Sequence, residues 1–94
     1  MAVFPSEVRA EMLRICARSG ARSVRLFGAM VRGEAGADSE VDILVEFEPD
    51  RSLWDRVTLT QDLEDLLGRK VEILSEKALQ PHIRDRILAQ AVPL

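Results

Sequence analysis

Apolar and polar residues alternate along residues 40–48. A period of two is typical of a strand with one buried face and one open face. We therefore predict a strand here whose open face is lined by carboxylates. Its buried face would consist of Val41, Ile43, Val45 and Phe47, and its open face of Glu40, Asp42, Glu46 and Glu48, with Leu44 among them.

Three other segments have a helical spacing of apolar residues. The first begins with Ser6 as a cap and stops at Gly20, the second begins with Ser52 as a cap and stops at Gly68, and the third follows Pro81. The apolar stripes expected to face the core are Val8, Met12, Ile15 and Cys16 in the first helix, Leu53, Val57, Leu63, Leu66 and Leu67 in the second, and Ile83, Ile87 and Leu88 in the third.

Two further short strands are predicted at residues 23–27 and 70–74, which gives the order α-β-loop-β-α-β-α. The fold class is thus α/β (α+β), a small mixed sheet of about three strands. So few strands cannot cover themselves, so we expect the helices to pack on the apolar face of the sheet. The opposite face would stay open around the acidic side chains.

Composition limits the classes of function. A chain of 94 residues is expected to form a single domain over residues 1–94. Its net charge of -3 argues against a protein that binds nucleic-acid backbone directly. The absence of a long apolar run argues against a membrane span, and a single cysteine excludes an intramolecular disulfide. A cytoplasmic location is the expectation that follows.

Carboxylates are the strongest candidates for chemistry. Glu40 and Asp42 point to the same side of the predicted strand, and Glu72 can join them from the strand at residues 70–74. Like charges held together raise one another's pKa, and a hard divalent ion such as Mg²⁺ or Mn²⁺ relieves that repulsion. Two such ions could clamp a phosphoryl transfer. The alternative is that these acids form an ordinary solvated face.

Gly28 follows the strand at residues 23–27 directly. A glycine at the end of a strand lets the backbone approach a ligand, and a helical turn that starts there presents N–H groups to an anion. A phosphate site beside the carboxylates is therefore a coherent prediction. An ordinary strand-to-helix turn is the alternative, since the spacing of Gly28 and Gly33 is a weak signal by itself.

Three stretches of sequence together resemble a known family. They are LFGAMVRGEA at 26–35, DSEVDILVEF at 38–47 and LLGRKVEIL at 66–74, and the tail from residue 79 is similar as well. The family is the minimal nucleotidyltransferases of the polymerase-beta superfamily. Its members have a Gly-Ser, an Ala-Arg-Gly, a Ser-Asp-x-Asp on the next strand and a third acid on a later strand.

The resemblance implies a polymerase-beta-like nucleotidyltransferase fold and transfer of AMP from ATP with Mg²⁺. Many members are antitoxins whose partner is a HEPN-domain ribonuclease toxin, and similar antitoxins silence that toxin by adding AMP to a tyrosine. The implied site has two parts. Glu40, Asp42 and Glu72 would be the catalytic residues and metal ligands, and Gly28, Ala29, Arg32 and Ser39 would contact the nucleotide.

The sequence departs from the family pattern at three positions. Ala29 stands where the family has Ser, and Glu40 and Glu72 stand where Asp is expected. These changes remove a hydroxyl and lengthen two candidate ligands, which would weaken catalysis. The first hypothesis is therefore an adenylyltransferase antitoxin, and the second is a degenerate domain that masks its partner sterically.

Other chemically distinctive residues have simpler interpretations. Cys16 lies on an apolar stripe and is expected in the core. His82 is expected at the surface, and Trp54 could stack a base but is more typical of a core or an interface. The role of Arg32 is left open between structure and phosphate binding. The apolar last residues are expected to be buried against the chain itself or against a partner, in a homo- or hetero-oligomer.

Overall fold

A computed structural model describes residues 4–34, 36 and 39–94. Helices and strands alternate along most of the chain. In chain order they are α1 (Ser6–Arg18), β1 (Ala21–Phe27), α2 (Ala29–Arg32), β2 (Val41–Phe47), α3 (Leu53–Leu67), β3 (Val71–Ser75), a 3-10 turn (Glu76–Ala78), α4 (Pro81–Gln90) and β4 (Val92–Pro93).

The strands form a mixed sheet with the order β3-β2-β1-β4. β1 is antiparallel to both β2 and β4, and β2 is parallel to β3. The expected α/β class and mixed sheet are confirmed, but the expectation of about three strands was wrong by one. β4 is two residues long and contains Pro93, so it has no hydrophobic period, and only its pairing with β1 makes it a strand.

One face of the sheet forms the core, as the alternation predicts. The odd-numbered residues 41, 43 and 45 of β2 are buried, and so are residues 71 and 73 of β3. α1 and α3 pack over this face, because their buried side chains belong to the same cluster. The helical members of the cluster are Met12, Ile15, Cys16, Leu59 and Leu63.

The opposite face is less open than expected. Leu44, which the alternation puts on the acidic face, is 1% exposed. It lies between Arg25 of β1 and Leu74 of β3, and the Arg25 guanidinium pairs with Glu76 at 3.5 Å. This face is therefore closed around Leu44, whereas Asp42 and Glu46 on either side of it stay half-buried.

α3 begins and ends as predicted, but its buried stripe differs. The Ser52 N–H donates to the Asp55 carboxylate at 2.9 Å, and Gly68 ends the helix with a positive φ of 65°. Leu59 and Leu63 face the core and Leu67 is half-buried, whereas three residues of the predicted stripe are exposed. The exposed ones are Leu53, Val57 and Leu66. The prediction failed because apolar residues occur all round this helix.

The other helices differ from expectation in smaller ways. Ser6 is the first residue of α1 and Pro5 precedes it as the cap, so Ser6 does not cap the helix. In α4, Ile83 is exposed while Ile87 and Leu88 are half-buried. No helix among the described residues is long and apolar enough to cross a membrane.

The end of the chain packs against its beginning. Leu94 is buried, its N–H donates to the Val24 carbonyl at 3.0 Å, and its own carbonyl accepts from Arg9 Nη1 at 2.7 Å. Of the two expectations for the apolar last residues, burial against the chain itself is confirmed for Leu94. Val92 in contrast keeps 38% of its surface exposed.

A pair of substitutions in α3 tests which face of the helix packs on the sheet. Leu59→Ala removes a fully buried side chain and should lower the free energy of unfolding by about 2–5 kcal/mol. Val57→Ala removes a half-exposed side chain and should change it by less than about 0.5 kcal/mol. Urea unfolding followed by circular dichroism measures both. Equal losses in the two variants would contradict the packing described here.

Candidate active site

The parallel pairing of β2 and β3 brings the three predicted carboxylates together. Asp42 and Glu72 are register partners, and Glu40 immediately precedes β2. One carboxylate oxygen from each of the three lies within 4.8 Å of those of the other two. Glu40 and Asp42 are half-buried and Glu72 is exposed. The predicted convergence of these side chains at one end of the sheet is confirmed.

The protonation equilibria of these carboxyls reflect their crowding. Burial raises the pKa of Asp42, the hydrogen bond and charge of Glu40 raise it further, and the positive charge of Arg32 opposes the rise. The pKa of Glu72 is also raised, first by its hydrogen bond with Glu40 and then by burial. The hydrogen bond from Glu72 lowers the pKa of Glu40. The hydrogen bond between Glu40 and Glu72 thus lowers the pKa of one carboxyl and raises that of the other, so their protonation is linked.

The donor set of this cluster fits a hard divalent cation. Its ligand atoms are carboxylate oxygens, which Mg²⁺ and Mn²⁺ prefer. Lys70 Nζ lies 4.0 Å from Glu40 Oε2 and its side chain is largely exposed, so it neutralises the cluster weakly. A bound cation would remove the repulsion that raises the pKa of Asp42 and Glu72. The residues that could hold it are the three predicted metal ligands.

The position of the Asp42 carboxylate requires a glycine at residue 28. It has a positive φ of 76°, and a Cβ atom built on it would lie 2.3 Å from Asp42 Oδ2. Phe27 is the register partner of Asp42, which brings the end of β1 against the carboxylate. The turn at Gly28 thus lies against a member of the carboxylate cluster, and its expected approach to a phosphate ligand remains a prediction.

Ala29 and Arg32 are the first and last residues of α2. The Arg32 guanidinium lies beside the cluster, since its charge lowers the pKa of Asp42. Arg32 Nε donates to both carboxylate oxygens of Glu34 at 3.3 Å, and Nη1 donates to Gln90 Oε1 at 3.3 Å. Gln90 was not predicted as part of this site, because only the pairing of β4 with β1 brings the end of α4 to it.

Ser39 precedes Glu40 and is half-buried. Its hydroxyl oxygen accepts a hydrogen bond from the Gly36 N–H at 2.7 Å, so it stabilises the loop before β2. Ala35 and Asp38 of the family motif lie outside the described residues. The predicted contact of Ser39 with a nucleotide therefore remains a prediction.

The remaining candidate residues lie away from the cluster. Cys16 is in the core, where burial raises the pKa of its thiol to about 11. Trp54 is at the start of α3, which follows the end of β2, whereas the carboxylates lie at the start of β2. It is 76% exposed, so of the two expected positions the core is excluded, and an interface remains a prediction. His82 is exposed, as expected.

A cavity of about 430 Å³ lies at the opposite end of β2 from the carboxylates. Its walls come from the end of β2, the start of α3 and the turn after β3. None of the predicted site residues lines it. The lining residues are Phe47, Glu48, Pro49, Arg51, Ser52, Leu53, Arg56, Ser75 and Lys77.

Comparison with known protein families gives a match over most of the chain. Residues 10–93 match the family model described as a nucleotidyltransferase domain. A Thermococcus cleftensis protein named protein adenylyltransferase MntA is 43% identical over 75 residues, which is 80% of this chain and 76% of the relative. A Methanocaldococcus jannaschii protein, named as a candidate for the same activity, is 37% identical over 87 residues, covering 93% of this chain and 94% of the relative.

Comparison with solved structures also finds a nucleotidyltransferase. A candidate minimal nucleotidyltransferase is 44% identical, with a TM-score of 0.83, and the alignment covers 100% of this chain and 97% of the other. More distant chains share the fold alone. One, from the complex of a tri-AMPylated Shewanella oneidensis HEPN toxin with its MNT antitoxin, is 15% identical with a TM-score of 0.70 and covers 93% of this chain and 68% of its own.

Gly28→Ala tests the contact between the turn and the cluster. The methyl group would collide with Asp42 Oδ2, so we expect the affinity for Mn²⁺, measured by calorimetry, to fall at least about tenfold. Gly68→Ala is the matched control, because Gly68 also has a positive φ but has nothing within 4 Å of an added Cβ. Gly68 lies in the left-handed helical region, so Gly68→Ala should lose about 1 kcal/mol of stability. Gly28 has a ψ of -151°, which side chains adopt less readily, so Gly28→Ala should lose more, about 1–3 kcal/mol. Mn²⁺ affinity reduced equally in both would contradict the proposed contact.

Glu72→Gln tests the repulsion within the cluster. A carboxyl whose pKa is raised by folding destabilises the folded state once the pH exceeds its unfolded pKa, and this penalty persists at neutral pH. In a chelator at pH 7, Glu72→Gln should therefore raise the Tm by about 2–4 °C. The gain should vanish as the pH falls below the ordinary range of a glutamate pKa. Mn²⁺ should raise the Tm of the wild type more than that of the variant.

Glu46→Gln is the control for this experiment, because it should change the Tm in the opposite direction. The hydrogen bond and charge of Arg22 lower the pKa of Glu46, so ionised Glu46 stabilises the folded state at neutral pH. Its neutralisation should lower the Tm slightly, with or without Mn²⁺. A lower Tm for Glu72→Gln in chelator would show that the cluster is not under repulsion.

Proposed function

The chain belongs to the nucleotidyltransferase domain family, and we propose that it is an adenylyltransferase antitoxin. In this proposal it transfers AMP from ATP to a hydroxyl side chain of a HEPN-domain toxin and thereby silences the toxin. The relatives named protein adenylyltransferases support the reaction, and the fold shared with an antitoxin bound to a HEPN toxin supports the partner. The observation that carries the proposal is the convergence of Glu40, Asp42 and Glu72.

The three carboxylates are the proposed ligands of a divalent cation, Mg²⁺ with Mn²⁺ as a substitute. When bound, the cation would neutralise charge that develops on the phosphate oxygens during transfer. Asp42 is the least adjustable of the three, because its side chain is short and lies against Gly28. It therefore fixes the position around which the longer side chains of Glu40 and Glu72 arrange themselves.

Gly28, Ala29, Arg32 and Ser39 form the proposed nucleotide side of the site. The Gly28 N–H and the Arg32 guanidinium are donors that suit phosphate oxygens. Ala29 supplies only its backbone N–H, since its methyl group cannot replace the hydroxyl of the family's Ser. Ser39 would act through the loop that it holds by its bond with Gly36.

Glu72 is the proposed acceptor of the proton from the attacking hydroxyl. The hydroxyl oxygen of the toxin forms a bond to the α-phosphorus of ATP, the bond from that phosphorus to the bridging oxygen breaks, and pyrophosphate leaves. The proton lost by the hydroxyl passes to the Glu72 carboxylate. Glu72 is the exposed member of the three carboxylates, so the hydroxyl of a protein partner could reach it.

A second candidate function is steric masking of the toxin by a degenerate domain. The observations that favour it are the missing hydroxyl at Ala29 and the longer acids at 40 and 72. The crowded carboxylates favour the enzyme, because a domain kept only for its surface gains nothing from their repulsion. In either function we propose a single domain over residues 1–94 that acts in the cytoplasm on a protein partner.

Incubation with labelled ATP, Mg²⁺ or Mn²⁺ and the proposed HEPN-domain partner, sought as the product of the neighbouring gene, tests the reaction. We expect label on the HEPN protein, and a decrease of at least about 100-fold in the labelling rate with Asp42→Asn. Glu46→Gln, which changes an acid on the same strand outside the cluster, should label at the wild-type rate.

Two outcomes would contradict the enzyme. One is the absence of label with either metal while both proteins are folded and form a complex. The other is full neutralisation of the toxin by Asp42→Asn, which would favour steric masking.

A further inference from the structure

The register of β4 places Gln90 opposite Gly28. β4 pairs with β1 through Leu26 with Val92 and Arg25 with Pro93. If this register is continued past the end of β1 and back before the start of β4, Gly28 lies opposite Gln90. The pairing of β4 with β1 therefore holds Gln90, the last residue of α4, beside the candidate active site.

The side-chain oxygen of Gln90 is shared by two donors of this site. Gln90 Oε1 accepts from the Gly28 N–H at 3.4 Å and from Arg32 Nη1 at 3.3 Å. Both distances are long for hydrogen bonds, so each bond is weak and exchanges readily for a stronger acceptor. The two donors nevertheless point at one oxygen atom, and both lie beside Asp42, as the Gly28 contact and the effect of Arg32 on the pKa of Asp42 indicate.

We propose that Gln90 is a positioning residue for the nucleotide phosphates. Its side-chain oxygen holds the Gly28 N–H and the Arg32 guanidinium aimed at a single point, so that an incoming phosphate oxygen meets two donors that already converge. This inference rests on the proposed function, because it needs a nucleotide to bind there.

The physical gain is a smaller loss of conformational freedom on binding. Arg32 is exposed and has a long side chain, which is costly to order when a ligand arrives. Its two anchors, Gln90 on one nitrogen and Glu34 on another, order it before the ligand arrives. A charged phosphate oxygen is a stronger acceptor than a neutral amide, so it displaces Gln90 Oε1 rather than being excluded by it.

Gln90→Met is the test, because methionine has a similar length but lacks the amide acceptor. With Mg²⁺ and α,β-methylene ATP, which cannot release pyrophosphate, we expect the Kd from calorimetry to rise roughly two- to tenfold. The KM for ATP should rise by the same factor while kcat stays close to the wild-type value. The Mn²⁺ affinity without nucleotide and the Tm should change little, since the Gln90 side chain hydrogen-bonds to Gly28 and Arg32 and, among the described residues, to none of the three carboxylates.

Two controls separate positioning from a general structural role. Gln61→Met changes an exposed glutamine of α3, whose amide donates to Asp65, and it should leave every measurement unchanged. In a double-mutant cycle with Arg32→Met, the effect of Gln90→Met on the Kd should shrink, because the two residues act through one hydrogen bond.

Several results would overturn the inference. An unchanged or tighter Kd in Gln90→Met would do so, and so would a loss of Mn²⁺ affinity or Tm that accounts for the weaker binding. Full additivity with Arg32→Met would contradict the coupling. If the wild type binds no α,β-methylene ATP with Mg²⁺, the proposed function fails first, whereas normal binding by both wild type and Gln90→Met rejects the role of Gln90 alone.

Discussion

Three carboxylates that repel one another lie together because the pairing of β2 with β3 allows no other arrangement. The alternate residues Val41, Ile43, Val71 and Ile73 are buried in the core, and a slip of one residue would expose them and bury the acids. Each such side chain contributes about 1.5–3 kcal/mol by leaving water, whereas an exposed pair of charges interacts by about 1 kcal/mol. Core burial therefore fixes the register, and the repulsion among the carboxylates follows from it.

Gly28, which follows β1, and Gln90, which precedes β4, lie beside the carboxylates of β2 and β3. Gly28 lies against Asp42 because β1 is antiparallel to β2, and Gln90 lies against Gly28 because β4 is antiparallel to β1. Leu94 then secures β4, through its buried side chain and its hydrogen bonds with Val24 and Arg9. A tail of a few residues, packed on the first helix and the first strand, thus determines which side chain faces the turn at Gly28.

The sequence was most informative where a local period decides the structure. The alternation in β2 identified the buried face and brought Glu40 and Asp42 to one side, and the short strand at β3 carried Glu72 to them by the same rule. The family motifs pointed independently to the same residues. The convergence of the three carboxylates could therefore be predicted, because their positions depend on one strand and its immediate neighbour.

Failures occurred where distant parts of the chain decide the structure. β4 is a strand only through its pairing with β1, so Gln90 could not be assigned to the site from its own neighbourhood. In α3 the side facing the sheet depends on the path of the chain between β2 and β3, because apolar residues such as Val57 and Leu59 point in several directions. Leu44 was expected on an open face, and the side chains of the strands on either side of it close that face.

The two longer acids occupy the positions at which a longer side chain is tolerated. Glu40 is half-buried and Glu72 exposed, they hydrogen-bond to each other, and their flexible side chains bring oxygens within 4.8 Å of the Asp42 carboxylate. Asp42 has no such freedom. Its Oδ2 would lie only 2.3 Å from a Cβ at position 28, so even with glycine there the space around this carboxylate is limited. The chain thus keeps aspartate at the one member of the cluster that a backbone turn crowds, and the two longer acids lie where the surrounding structure leaves room to adjust.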